Sequence, residues 1–125
     1  MKKVINTPKA PAAIGPYSQA ILAGNTLYIS GQVPIDPATG KIPEGIEAQT
    51  EQVMQNIKAI LDEAGFTFKD VVKSTCLLAS MEYFKPMNEV YAKYYPTDCP
   101  ARAAFAVQAL PLGALVEIET IAVKQ

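Results

Sequence analysis

Of the eleven basic residues in this chain, Arg102 alone is an arginine. It stands in Cys99-Pro100-Ala101-Arg102-Ala103-Ala104-Phe105-Ala106-Val107, an apolar run that reads as a strand. A guanidinium keeps its charge at any physiological pH. Among alanines, phenylalanine and valine it needs an anionic partner or a polar cavity, because an unpaired buried charge is costly. Its planar fork binds a carboxylate through two parallel hydrogen bonds, which lysine cannot do. The partner is either a carboxylate of this protein or the carboxylate or phosphate of a ligand. Structural ion pairs are the commoner case. Two further residues bear on the question. Glu117 and Glu119 lie in a second apolar run, Leu115–Val123. A carboxylate under cover is either paired with a cation or raised in pKa, and so becomes a candidate acid or base. Arginine, glutamate, Tyr17 and the backbone around Gly31 together could bind a small carboxylate and move a proton.

Absences narrow the chemistry further. The chain has no histidine and no tryptophan. Histidine relays and histidine-containing metal sites are excluded. The two cysteines, Cys76 and Cys99, are too far apart in sequence for a structural zinc site, and they make no disulfide framework. No Walker loop or Gly-x-Gly-x-x-Gly stretch occurs. The net charge is −1, and no lysine cluster exceeds Lys2-Lys3. A nucleic-acid-binding stripe is therefore not expected. No signal-like or membrane-length apolar run is present, so a reduced, cytoplasmic protein is expected.

The elements that must position these residues can be read from periodicity. With 125 residues, half of them hydrophobic, one domain spanning 1–125 with a real core is expected. Residues 3–6 read as a first strand. The apolar loop Thr7–Tyr17 carries three prolines and should pack rather than wave in solvent. Tyr17, at its end, reads first as a core or rim residue. Ser18–Ala23 and Thr26–Val33 read as a hairpin whose Gly24-Asn25 loop suits a type II′ turn. Alternation puts Leu27, Ile29, Gly31 and Val33 on one face and Tyr28, Ser30 and Gln32 on the other. Gly31 inside a strand predicts a bulge or a close backbone approach.

Ile46–Ala64 is the clearest helix. Ile46, Thr50, Val53, Ile57 and Ala64 recur at helical spacing, with Ile60 or Leu61 between. Gln49, Gln52, Gln55 and Lys58 read as the solvated side, and Gly65 as the stop. Asp70–Ala79 is the next strand, with Cys76 an inert buried thiol. Ser80 caps a short turn, and a second helix restarts near Pro86. Phe84, Met87, Val90, Tyr91 and Tyr94 form its apolar side. Ala101–Val107 and Leu115–Val123 are the last strands. Their connection is longer than a tight hairpin, so their direct pairing is not implied. Both faces of the final strand are largely apolar, and both should be covered. Two helices cover one face of a sheet. No chain remains for the other, which makes a subunit interface the economical cover.

Four motifs in order resemble the RidA family, also called the YjgF-type reactive-intermediate deaminases. They are Ala10-Pro11-Ala12-Ala13-Ile14-Gly15-Pro16-Tyr17-Ser18-Gln19-Ala20, Ile29-Ser30-Gly31-Gln32-Val33-Pro34, Met87-Asn88-Glu89-Val90-Tyr91, and Pro100-Ala101-Arg102 followed by Val116-Glu117-Ile118-Glu119. The resemblance spans nearly the whole chain. It implies a chorismate-mutase-like α+β fold, a mixed sheet with two helices on one face, assembled as a homotrimer with three inter-subunit clefts. It implies hydrolysis of 2-imino acids such as 2-iminopropanoate and 2-iminobutanoate to 2-keto acids and ammonia, with no metal or organic cofactor. On this resemblance Arg102 binds the substrate carboxylate, helped by backbone groups at Gly31 and Ala104. Glu117 orients or deprotonates the attacking water. Tyr17, Ser30 and Asn88 line the cleft. Many bacterial members carry cysteine where this chain has Ala104, so no thiol acts there. Two other readings stay open: a non-catalytic small-carboxylate-binding protein, and an RNA-cleaving inhibitor of translation.

Overall fold

Residues 1–125 are described by a computed structural model. Six strands form one sheet: β1 (Lys2–Ile5), β2 (Ala20–Ala23), β3 (Thr26–Gln32), β4 (Val71–Leu78), β5 (Ala101–Ala106) and β6 (Val116–Val123). Two helices, α1 (Ile46–Ala64) and α2 (Phe84–Tyr91), complete an α+β architecture. The spatial order is β1-β2-β3-β6-β4-β5. All pairs are antiparallel except β4–β5. The final strand is thus inserted between β3 and β4. β5 pairs with β4 and not with β6, as the long Gln108–Ala114 connection allowed. β3-α1-β4 and β4-α2-β5 are both crossovers between parallel strands running the same way. The fixed hand of such connections places both helices on one face.

α1 has the bounds its apolar stripe predicts. Gly65 ends it at φ 79°. Phe66 N–H donates to Leu61 O and Gly65 N–H to Asp62 O, the paired bonds of a left-handed helix stop. One expectation fails here. Gln49 is buried rather than solvated. Its amide donates to Pro43 O at 3.0 Å and its carbonyl accepts from Leu115 N–H at 2.8 Å. Asn56 is buried likewise and donates to Val33 O and Ile35 O. These carboxamides satisfy irregular backbone that no ladder reaches. The predicted alternation of β3 also breaks. A register shift lies between Ile29 and Gln32, and Gln32, expected to share the face of Tyr28, is buried opposite Ile118. The extra residue of a bulge reverses the facing of the residues beyond it.

The core lies between the helices and the sheet face that carries Leu27, Ile29, Cys76, Leu78, Val116, Ile118 and Ala122. The opposite face has no layer over it. Val4, Ile21, Tyr28 and Ile121 run across it in register. Val4, Tyr28 and Phe105 are about half exposed there, at 56%, 50% and 48%.

Within the core, the Thr120 hydroxyl is buried without a hydrogen-bond partner in the chain. A buried unpartnered hydroxyl loses its hydration and gains nothing. We therefore expect Thr120→Val, which keeps the shape and removes the hydroxyl, to raise unfolding stability by about 1 kcal/mol. Urea unfolding measures this. A loss of similar size would show that the hydroxyl is hydrogen-bonded in solution.

Candidate active site

Two groups of residues carry the candidate chemistry, and they sit apart. The first surrounds a cavity of about 1050 Å³ lined by the Thr7–Tyr17 loop, Ser30–Val33, Pro111, Leu112 and Glu117. Gln19 builds its wall. The carboxamide, buried between the loop and β3, accepts from Thr7 N–H at 2.7 Å and donates to the carbonyls of Thr7, Ala10 and Pro11. A proline-rich loop cannot satisfy its own carbonyls, and one amide does it instead. Ser30 is tied to the same wall, its hydroxyl donating to Ser18 O at 2.6 Å and its N–H to Gln19 O at 2.9 Å. Tyr17 stands at the rim, 52% exposed, rather than in the core.

Gly31 has a specific physical reason. A Cβ there would lie 2.1 Å from Glu117 Oε2 and 3.0 Å from its Cδ. The carboxylate of β6 rests directly on the bulged backbone of β3, and only glycine leaves room for it. Burial raises the pKa of Glu117, and the neighbouring Glu119 charge raises it further. Leu112, at the cavity's edge, is exposed and held at φ 58°, a backbone region that bulky residues rarely adopt.

The second group surrounds Arg102. Its Nη1 donates to Asn88 Oδ1 at 2.6 Å. Its guanidinium carbon lies 5.4 Å from the Phe84 ring centre and 5.1 Å from that of Tyr91. The Cys76 thiol lies behind it. Burial pushes that thiol up to about 11, against the opposing pull of Arg102, so it is neutral near pH 7. The chain's one ion pair joins Lys58 to Asp62. No carboxylate of this chain neutralises Arg102. Ala104 lies further along β5, opposite Cys76, at an edge of the sheet. Cys99 is a free, exposed thiol whose S–H donates to Tyr95 O at 3.4 Å.

The strand register separates the two groups. Arg102 pairs with Ser74, and Ser74 with Thr120; Ser74 and Thr120 are buried towards the helices. Glu117 pairs with Leu77, and Leu77 with Phe105, three positions along and on the open face. Arg102 with Asn88, and Glu117 with Gly31, Ser30 and Tyr17, thus occupy opposite faces of one sheet. Gln19, Phe84, Tyr91 and Leu112 were not singled out by sequence reasoning as site residues. Gln19 had a visible signal, a lone amide beside a loop rich in prolines. Phe84 and Tyr91 carried none, since aromatic residues at helical spacing serve a core equally well.

No helix is long and apolar enough to cross a membrane, and no group of three or more Cys, Asp or Glu side chains is gathered that could hold a metal ion.

Comparison with known proteins gives this arrangement a family. Residues 7–124 match the family model described as Endoribonuclease L-PSP. The chain is 52% identical to 2-iminobutanoate/2-iminopropanoate deaminase of Bos taurus, over 99% of this chain and 91% of that protein. Its fold matches the crystal structure of RidA from an Antarctic Psychrobacter at a TM-score of 0.95 with 50% identity, covering 98% of this chain and 99% of that one. It also matches E. coli TdcF with bound serine at a TM-score of 0.94 and 37% identity, over 98% and 99% of the two chains. With its four motifs in order and nearly its full length matched, this chain belongs to the Endoribonuclease L-PSP family, among the members that carry RidA and imine deaminase names.

Proposed function

We propose that this protein is a cytoplasmic homotrimer that hydrolyses small 2-imino acids, 2-iminopropanoate and 2-iminobutanoate, to 2-keto acids and ammonia. The observation that carries this reading is Arg102: a permanent charge, part-buried, held by an amide and two rings, with no carboxylate of its own chain beside it. Such a group is set to receive a ligand's anion. The relatives that carry the imine deaminase name favour a 2-imino acid as that ligand. The bound serine of TdcF is also a small amino carboxylate. Arg102 and Glu117 cannot meet on one ligand within a chain, because the sheet lies between them. A neighbouring copy seated on the open face brings the Arg102 side of one subunit to the Glu117 side of another, and covers Tyr28 and Phe105 at the same time. The two free cysteines accord with a reducing compartment.

The reaction needs little machinery. A protonated imine is already electrophilic, and Arg102 fixes its carboxylate so that C2 faces a water. The water oxygen bonds to C2 while one of its protons passes to the Glu117 carboxylate. That proton then moves to the nitrogen of the carbinolamine. The C–N bond breaks, ammonia leaves and takes the hydroxyl proton as ammonium, and the 2-keto acid remains. Burial and the Glu119 charge raise the pKa of Glu117, which makes it a stronger proton acceptor than an ordinary carboxylate. Ser30, Tyr17 and Asn88 line the cleft, and backbone groups at Gly31 and at Ala104, on the edge strand, help hold the carboxylate.

Keto-acid release from freshly generated 2-iminobutanoate, together with sedimentation at micromolar concentration, tests this reading. Accelerated release and a trimer are expected. Carboxylate binding without release would instead mark a binding protein, and a monomer would remove the inter-subunit cleft. The family description names an endoribonuclease, but eleven basic residues against twelve acidic ones give little purchase on a phosphate backbone. Salt-dependent RNA binding would speak for that alternative.

Gly31→Ala gives a sharper test. The new Cβ must displace the Glu117 carboxylate, whose flexible end can move at small cost in folding. Turnover should fall by roughly 10²-fold, the scale of a 1 Å misplacement, while the thermal midpoint stays near wild type. Unchanged turnover would separate the carboxylate's position from catalysis.

A further inference from the structure

The two rings and the amide that grip Arg102 come from a single helix, with the Cys76 thiol of β4 behind the guanidinium. Phe84, Asn88 and Tyr91 stand at i, i+4 and i+7 of α2, which is one face of a helix. All three reach the guanidinium: the two rings at 5.4 and 5.1 Å from its central carbon, and the amide at 2.6 Å from Nη1. None of them is charged. Asn88 Oδ1 occupies one of the five N–H donors, and four remain. Carboxylates do not supply this grip, and that matters chemically. A carboxylate at Asn88 would hold the guanidinium as firmly, but it would neutralise the charge and compete with an anionic ligand for the same donors. Aromatic faces attract a cation without offering a lone pair to its N–H groups. Tyr91 is itself fixed. It is buried, and its ring packs 4.8 Å from that of Tyr95. The Phe84 ring is half-buried against the core. The clamp therefore does not depend on a ligand to form.

We propose that Phe84 and Tyr91 are positioning residues. With Asn88 they form a charge-neutral clamp that sets the orientation of the Arg102 guanidinium before a carboxylate arrives. This rests on the reading of Arg102 as the anchor of a ligand carboxylate, and it adds what makes that anchor rigid. A long arginine side chain otherwise loses rotamer freedom on binding, and the affinity falls by that amount. Phe84 and Tyr91 remove that loss in advance.

Titration with 2-oxobutanoate, the keto acid of the proposed reaction, tests the clamp in four variants: Phe84→Leu, Tyr91→Leu, Tyr91→Phe and Arg102→Lys. Each leucine variant should weaken binding about tenfold, the factor that ~1.4 kcal/mol represents. KM should rise by a similar factor with kcat within about threefold, as expected when binding rather than chemistry is lost. Tyr91→Phe keeps the ring and should bind as wild type. Adding Phe84→Leu to Arg102→Lys should bring no further loss, because the planar group it orients is gone. If the leucine variants bind as wild type while Arg102→Lys does not, the clamp is overturned and the anchor stands. If Arg102→Lys also binds as wild type, the anchor itself is wrong. A leucine variant with a lowered melting midpoint but unchanged KM in its folded fraction would return that ring to a packing role. Tyr91→Phe losing as much as Tyr91→Leu would place the effect in the hydroxyl and overturn the ring's part.

Discussion

Arg102→Lys should lose roughly 10- to 150-fold in kcat/KM, the worth of the one charged hydrogen bond of about 1.5–3 kcal/mol that goes when the other survives as a point contact. Lysine keeps the charge, so an effect of charge alone would be small. What goes is the fork that grips a carboxylate at two points. The folded protein should survive. Arg102 closes no ion pair within the chain, so the substitution removes one hydrogen bond to Asn88 and the stacking on Phe84 and Tyr91. A stability loss of about 1–2 kcal/mol is the expected ceiling. A thermal melt and an imine-hydrolysis assay on the same preparation decide it. A turnover loss of that size with a near-native melt supports the anchor. A strongly lowered melt with full activity in the folded fraction would make Arg102 structural after all.

The sequence posed that choice without resolving it, and the reason is physical. An arginine in an apolar strand announces that an anion is needed somewhere. It does not say whether the anion is a side chain brought close by the fold. Only the strand order answers, and strand order depends on contacts far apart in sequence. The insertion of β6 between β3 and β4 is invisible to periodicity, which sees each strand alone. The same insertion carries Glu117 onto Gly31 and away from the Arg102 face. The motifs named both residues as partners of one ligand, and the fold assigns them to opposite faces. On the proposed mechanism their meeting requires a second copy.

Local features were more legible. α1 tracks its stripe from Ile46 to Ala64 because spacing and a glycine stop act within a few residues. The glycine of the β2–β3 turn adopts the positive φ its loop requires, at 61°. Gly31 was expected to mark either a bulge or a close approach, and it marks both. Strand ends were less legible. β2 begins at Ala20 rather than Ser18 because Gln19 is given over to the loop carbonyls. Gln49 was misplaced for a related reason: a glutamine on a helix reads as solvated unless unpaired backbone is known to lie against it. Phe84 and Tyr91 read as core residues, and they are also the floor beneath a charge.

Glu117→Gln should separate chemistry from binding and from stability at once. The amide keeps the shape above Gly31 and loses the base, so turnover should fall by ~10²–10⁴-fold. Binding of 2-oxobutanoate should change little, since Arg102 is untouched. Stability should move the other way. Burial and the Glu119 charge raise the pKa of Glu117 in the folded chain, so folding favours its protonated form. The stability that this group contributes is fully present below its unfolded pKa and is lost as pH rises through the folded one. At neutral pH the wild type carries that loss, and glutamine, which has no charge to bury, does not. The variant should therefore unfold at a higher urea midpoint than wild type at neutral pH. The difference should vanish as pH falls below the ordinary carboxylate range. The acid limb of wild-type kcat/KM should lie above that of an unshifted glutamate for the same reason. Equal midpoints at neutral pH would mean that a cation meets Glu117 in solution. Full turnover in the variant would take the proton from Glu117 and leave the water to be activated by another group.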